Sequence, residues 1–204
     1  MHILVKPITV FVFTAILCLA APLFGGPILQ DNYNSTWAIQ FHEPIGQSFT
    51  AEDPNVTFGF FLTTMNPTET NGMLTVTLYQ GSGFGGSVLG SSTFSLANGY
   101  DNFFDVDFTA VNLVVGNVYT VGVSHPSSLY WGLQGMLDTD NYAGGTAFTF
   151  GNPGGDIGGM TLRDWRFRVT PAAAEIPKPA GFTLLPLGLA AIAAWRRFGN
   201  SAPR

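Results

Sequence analysis

An all-β fold is what this sequence predicts, and three observations predict it. Apolar residues recur at every second position through the middle of the chain, with no stretch at helical spacing. The alternating runs are short, and clusters of glycine, asparagine, proline and serine separate them. The 204 residues include 18 phenylalanines, a composition suited to a core formed between two facing sheets. Together these point to a single antiparallel β-sandwich rather than a parallel sheet of βαβ units.

The strands follow in order. Asn55–Leu62 and Met73–Tyr79 both alternate, and the turn cluster Asn66–Gly72 between them ends in Asn-Gly. Further strands are expected over Val88–Leu96, Phe103–Phe108, Val118–Ser124, Thr146–Phe150 and Trp165–Thr170. Side chains alternate across a strand, so Leu74, Val76 and Leu78 face the core while Thr75, Thr77 and Tyr79 take the other side. Trp165, inside a strongly alternating strand, belongs to the core.

Both ends of the chain differ from this body. Lys6 precedes a continuous apolar run from Ile8 to Leu19, which has the layout of a secretory signal peptide. Small residues at Cys18 and Ala20 place cleavage after Ala20, making residues 1–20 the signal and its helix. Leu17 occupies the place where a lipid-modification box needs a small residue, which argues against a lipoprotein. Cys18 leaves with the signal, so no disulfide and no cysteine-ligated metal supports the mature body. Residues 21–174 then form one ectodomain, long enough to bury a core. That body has no lysine, and its three arginines, Arg163, Arg166 and Arg168, face twelve carboxylates, a net charge of −9. Such a surface repels phosphate backbones and excludes nucleic acid as a partner.

Residues 175–204 read as a tail with a transmembrane helix over 180–195. From Pro179 to Trp195 there is no charge, and as a helix the run spans roughly 25 Å, slightly short of a hydrocarbon core of about 30 Å. Arg196 and Arg197 follow at once and hold the C-terminus in the cytoplasm. Pro177 and Pro179 flank Lys178 and keep that stretch extended just outside the membrane. This order of elements, over Ile176–Arg197, resembles the PEP-CTERM tail of exported bacterial proteins. The resemblance implies an exosortase, a membrane-embedded transpeptidase, as partner, export through the inner membrane of a Gram-negative bacterium, and a final place at the cell surface or in the extracellular matrix. The family pattern carries glutamate where this chain has Lys178. A plain anchor that is never cut is the alternative.

The body has its own resemblance. Gly46–Thr50, Thr75–Tyr79, Val118–Val123 and Trp165–Val169, in that order, resemble exported jelly-roll modules similar in outline to carbohydrate-binding sandwiches. The fold so implied is jelly-roll-like, and the function so implied is association with exopolysaccharide.

Catalytic machinery is sparse. His42 and His125 are the only histidines in the body, and neither stands in a metal-ligand spacing. Ser87 lacks the nucleophile-elbow pattern because Leu89 replaces the required glycine. Gly81–Gly86 has no following Lys-Ser or Lys-Thr and reads as a hairpin loop rather than a phosphate cradle. Asp101, Asp105 and Asp107 surround one strand, and Asp138 and Asp140 lie two apart on a loop. Carboxylates so placed suit solvated turns, a structural calcium ion at Asp138 and Asp140, or a glycosidase pair. No other cofactor is expected. Tyr130 and Trp131 precede this loop and Tyr142 follows it, a grouping that makes them the candidate platform for stacking sugar rings if they are exposed. Arg166 and Arg168 share a strand face and are expected to pair with the acidic majority. The functional expectation is a non-enzymatic, exopolysaccharide-associated or glycan-binding surface module. Alternatives are a glycan-processing enzyme using the acidic loop, and a purely structural matrix protein.

Overall fold

The computed structural model describes residues 25–65, 71–125, 131–157 and 159–172. Residues 1–20, expected as the signal, residues 175–204, expected as the tail, with Pro177, Lys178, Pro179, Arg196 and Arg197, and Tyr130 lie outside the described residues. No helix among the described residues is long and apolar enough to cross a membrane.

The chain is all-β in two antiparallel sheets. In order it forms β1 (Ile28–Gln30), β2 (Ser35–Ala38), a helical turn α1 (Ile39–His42), β3 (Ile45–Thr50), β4 (Val56–Thr64), β5 (Asn71–Gln80), β6 (Val88–Ala97), β7 (Asp101–Asp107) and β8 (Val118–Ser124). It continues with β9 (Trp131–Leu137), β10 (Ala147–Thr149), β11 (Asn152–Pro153), β12 (Asp156–Ile157), β13 (Met160–Trp165) and β14 (Phe167–Pro171). One sheet has eight strands in the order β1-β14-β4-β9-β13-β12, with β7 beside β4 and β2 beside β9. The other has six, in the order β11-β10-β3-β8-β5-β6.

Period-2 alternation sets the layers. Leu74, Val76 and Leu78 of β5 and Val121 and Val123 of β8 meet Phe58, Phe60 and Leu62 of β4 and Phe167 and Val169 of β14 in one core. Phe58 stacks on Phe167 at 5.5 Å within that layer, and Phe49 reaches Phe58 across it at 5.5 Å. Trp165 is fully buried, as its alternating strand predicted.

The expected strand Trp165–Thr170 is divided: Trp165 ends β13, and the chain bends at Arg166 before β14. β13 runs antiparallel to β9, while β14 runs antiparallel to β4, and β4 and β9 are themselves antiparallel partners. The chain therefore climbs along β9, turns at Arg166, and descends along β4. Arg166 sits in the fork: its N–H donates to Gln134 O at 2.7 Å, and its carbonyl accepts from Phe61 N at 3.0 Å.

The arginines of this segment are paired on the outer face, as expected. The Arg166 guanidinium binds Asp31 at 2.6 Å and Gln134 Oε1 at 2.7 Å, and lies 3.8 Å over the Phe61 ring. Arg168 forms a two-pronged pair with Asp105. That pair passes directly over Gly59, where a Cβ would come within 2.2 Å of Asp105 Oδ1.

A polar link ties the two sheets through the core. Gln47 of β3 and Asp164 of β13 are both fully buried. Gln47 Nε2 donates to Asp164 Oδ1 at 3.3 Å, and Gln47 Oε1 accepts from Trp165 N at 2.9 Å. Asp164 Oδ2 accepts from Asn141 N at 3.0 Å and Tyr142 N at 3.1 Å, which fixes the loop after β9. Burial is the largest influence on this carboxyl and pushes it above the usual range, despite the opposing hydrogen bonds.

Replacing Asp164 with alanine removes the acceptor of the Asn141 and Tyr142 N–H groups and leaves the buried Gln47 amide with Ser48 O alone, and the expected loss is about 2 kcal/mol in urea unfolding. A pH series gives a second test. The folded-state carboxyl titrates above its unfolded value of 3.8, so between the two the folded chain holds the extra proton. Its contribution is complete below that unfolded value and is lost as pH rises through the folded one. The stability of the wild type relative to Asp164→Asn is therefore expected to fall with rising pH across that window.

Candidate functional site

The outer face of the six-stranded sheet carries a cleft of about 230 Å³. The rule that points Leu74, Val76 and Leu78 inward points Thr75, Thr77 and Tyr79 of β5 outward, and they form its wall. Hydroxyl groups extend the wall onto β6: Thr75 bonds Thr93 at 2.9 Å, and Thr77 bonds Ser91 at 3.0 Å. Gly122 and Ser124 of β8 form the floor, and Glu43 and Pro44, joined by a cis peptide, close the side before β3. Glu43 Oε1 accepts the backbone N–H of His125.

An aromatic pair closes the opposite side. The hairpin loop between β5 and β6 folds back over the sheet because Gly81 and Gly83 both take positive φ, at 82° and 84°. Thr120 on the outer side of β8 ties it down, accepting from Gly83 N and donating to Gly81 O, both at 2.8 Å. This sets Phe84 edge-on to Tyr79 at 5.6 Å and against Phe148 at 5.6 Å. Gly46 and Gly122, opposite each other in the β3 and β8 register, make the room: a Cβ on Gly122 would lie 2.9 Å from the Phe84 ring. Hydroxyls, a carboxylate and two aromatic rings around a shallow cleft can grip a polyol with an apolar face.

The sequence-derived platform lies elsewhere and is not open. Trp131 is 2% exposed, packed into the core from the first position of β9, so it offers no face for a sugar ring. Tyr142 is half-buried, edge-on to Phe167 at 5.2 Å, and its hydroxyl accepts Thr50 N at 3.2 Å. Burial is the main cause that raises its phenol above the usual range. Both residues anchor the core.

The acidic loop is engaged in turn geometry. Asp138 has φ 60°, its N–H donates to Thr161 O at 2.8 Å, and its Oδ1 accepts Thr161 N at 2.9 Å. Asp140 is exposed nearby. No group of three or more His, Cys, Asp or Glu side chains able to hold a metal occurs among the described residues. Asp105 serves Arg168, and Asp107 caps its own turn through Thr109 N at 2.8 Å; the Thr109 hydrogen bonds hold the Asp107 carboxyl below the usual range. His42 Nδ1 pairs with Ala38 O at 2.7 Å, and its ring packs against Trp37 and Phe150.

Sequence reasoning passed over Tyr79, Phe84 and Glu43 as a group. The available signal was glycine inside two strands, Gly46 and Gly122, which marks close approach of another group. A comparison with protein-family models finds none that matches the chain, and no curated protein matches it in sequence.

The two strand glycines differ in what a methyl group would meet. On Gly46 it would lie 2.4 Å from Val121 O, which is backbone, whereas on Gly122 the neighbours are ring atoms that can shift. Gly46→Ala is expected to cost about 2 kcal/mol or more, and Gly122→Ala about half of that, with Phe84 displaced. Thermal unfolding of the two variants checks the order.

Proposed function

We propose that this chain is a non-enzymatic, exported surface or matrix protein that holds exopolysaccharide in the cleft of its six-stranded sheet. The observation that carries the reading is the cleft itself: the rings of Tyr79 and Phe84 at one side, hydroxyls of Thr75, Thr77 and Ser124 along it, and Glu43 at the other. Its volume of about 230 Å³ is below the roughly 300–1,000 Å³ of sites that enclose a whole drug-sized ligand, so it suits part of a longer polymer. A jelly-roll-like sandwich is the finer description of the fold that goes with this reading. The tail over Ile176–Arg197 supplies the route: a PEP-CTERM-like segment read by an exosortase, with a signal helix over 1–20 and a membrane helix over 180–195.

A purely structural matrix role is the second reading, and the packing of Trp131 and Tyr142 into the core favours it. Affinity electrophoresis in gels containing bacterial exopolysaccharides separates the two. Retardation of the wild type, with a roughly tenfold or greater loss of affinity in Tyr79→Ala or Phe84→Ala measured at a temperature where circular dichroism shows each variant folded, is the expected result. Migration unaffected by every polysaccharide supports the structural role. Sorting is checked separately by the intact mass of protein from membrane and extracellular fractions: loss of the segment after about Pro179 is expected, and an intact tail confined to the membrane overturns it.

A further inference from the structure

Among the described residues one buried carboxylate has no hydrogen-bond partner. Asp53, in the turn between β3 and β4, is 3% exposed, and neither of its oxygens meets a hydrogen-bond donor. Burying a carboxylate in that state is among the most costly arrangements a fold can contain. Asp164, the other buried acid among the described residues, shows the usual solution by accepting from three donors.

The backbone on either side of Asp53 is held in place by the neighbouring segment. Ala51 N donates to Asn117 O at 2.9 Å, Gly116 N to Ala51 O at 2.8 Å, and Leu113 N to Pro54 O at 2.7 Å. Asn55 Nδ2 adds a bond to Thr109 O at 2.8 Å. Both flanks of Asp53 are thereby clamped to the segment that follows β7. Burial first, and the negative charge of Glu52 second, push the Asp53 carboxyl above its ordinary range. Glu52 itself is exposed, with its side chain laid along the backbone of Gly25.

We propose that Asp53 and Glu52 are the carboxylate pair of a divalent-cation site, and that the cation is Ca²⁺. The donors are all oxygen, which selects a hard cation over zinc or copper. Two carboxylates are too few for a cage of side chains alone, so backbone carbonyls and water complete the shell, a mixture that Ca²⁺ accepts with six to eight ligands and that the stricter octahedron of Mg²⁺ does not favour. Ala51 and Pro54 carbonyls each accept one hydrogen bond and retain a second lone pair. The small charge count places the affinity in the weak range of extracellular modules, on the order of 10⁻⁴–10⁻³ M. The site lies past the end of β3, while the cleft begins before its start, so the inference does not depend on glycan binding.

Thermal unfolding of the full chain in mild detergent, after EDTA treatment and then with added CaCl₂, tests the proposal. The wild-type Tm is expected to rise with the logarithm of Ca²⁺ concentration. Asp53→Asn is expected to lose that response and, in EDTA, to unfold at a higher temperature than the wild type, because the unpaired charge is gone. Asp138→Asn is expected to keep the response. Glu52→Gln, an exposed change that leaves the fold intact, is expected to weaken Ca²⁺ by about tenfold in a calorimetric titration, which keeps the test decisive if the Asp53 variant does not fold. The proposal is overturned by a wild type that ignores millimolar Ca²⁺, by an equal rise with MgCl₂, by an Asp53→Asn protein that still responds, or by a Glu52→Gln protein with unchanged affinity.

Discussion

The buried contact between Gln47 and Asp164 is the constraint on which the arrangement of the two sheets depends. Hydrophobic packing between the sheets is broad and tolerant of small slips, because one phenylalanine face slides over another at little cost. A buried amide and carboxylate are not tolerant, since any shift leaves donors and acceptors unsatisfied in a dry interior. Gln47 fixes the position of β3 against β13 by taking Trp165 N on one atom and reaching Asp164 with the other. Asp164 carries the constraint outward to the loop at Asn141 and Tyr142. One pair thus sets the sheet-to-sheet register, the seat of Trp165 and the course of the loop that returns to β10.

The two outer faces are built from different chemistry. On the eight-stranded sheet the outward residues are charged and mutually satisfied, with Arg166 and Arg168 neutralising Asp31 and Asp105 over aromatic rings. The six-stranded sheet presents neutral hydroxyls instead, paired across β5 and β6, beside rings held by the glycine-rich loop. The first face stabilises the fork between β4 and β9. The second leaves donors, acceptors and apolar edges facing a cleft.

Alternation made the strands β4 to β8 legible because apolar side chains recur at every second residue in them, as at Phe58, Phe60 and Leu62 of β4 and Leu74, Val76 and Leu78 of β5. It was faint in β9, where Gly135 interrupts the core-facing series Trp131, Leu133 and Leu137. The bend at Arg166 was invisible, since the pattern Trp165, Phe167, Val169 continues across it without interruption. Tyr79 was correctly turned outward, but the cleft it joins depends on Gly46 meeting Gly122 across β3 and β8, a pairing between residues far apart in the chain. Aromatic residues beside an acidic loop suggested an open platform at Trp131 and Tyr142. Composition cannot distinguish a ring that faces solvent from one that closes a core. Asp53 and Asp164 are alike in sequence as acids near turns, and only the fold separates the satisfied one from the unsatisfied one.

The fork at Arg166 also bears on how the body survives among proteases. With no lysine between residues 21 and 174, an enzyme that cleaves after basic residues finds its sites in the body only at Arg163, Arg166 and Arg168. Arg166 and Arg168 lie where the backbone is hydrogen-bonded to β9 and β4, whereas the exposed Arg163 sits at the bulge of β13, one strand from the edge of the larger sheet. A protease must bind its substrate extended and unpaired, so cutting at Arg166 or Arg168 requires β14 to leave β4 and β13 to leave β9 first. Trypsin-like digestion of the native body is therefore expected to begin at Arg163, through local fraying beside β12, and to reach Arg166 and Arg168 only when the sandwich opens.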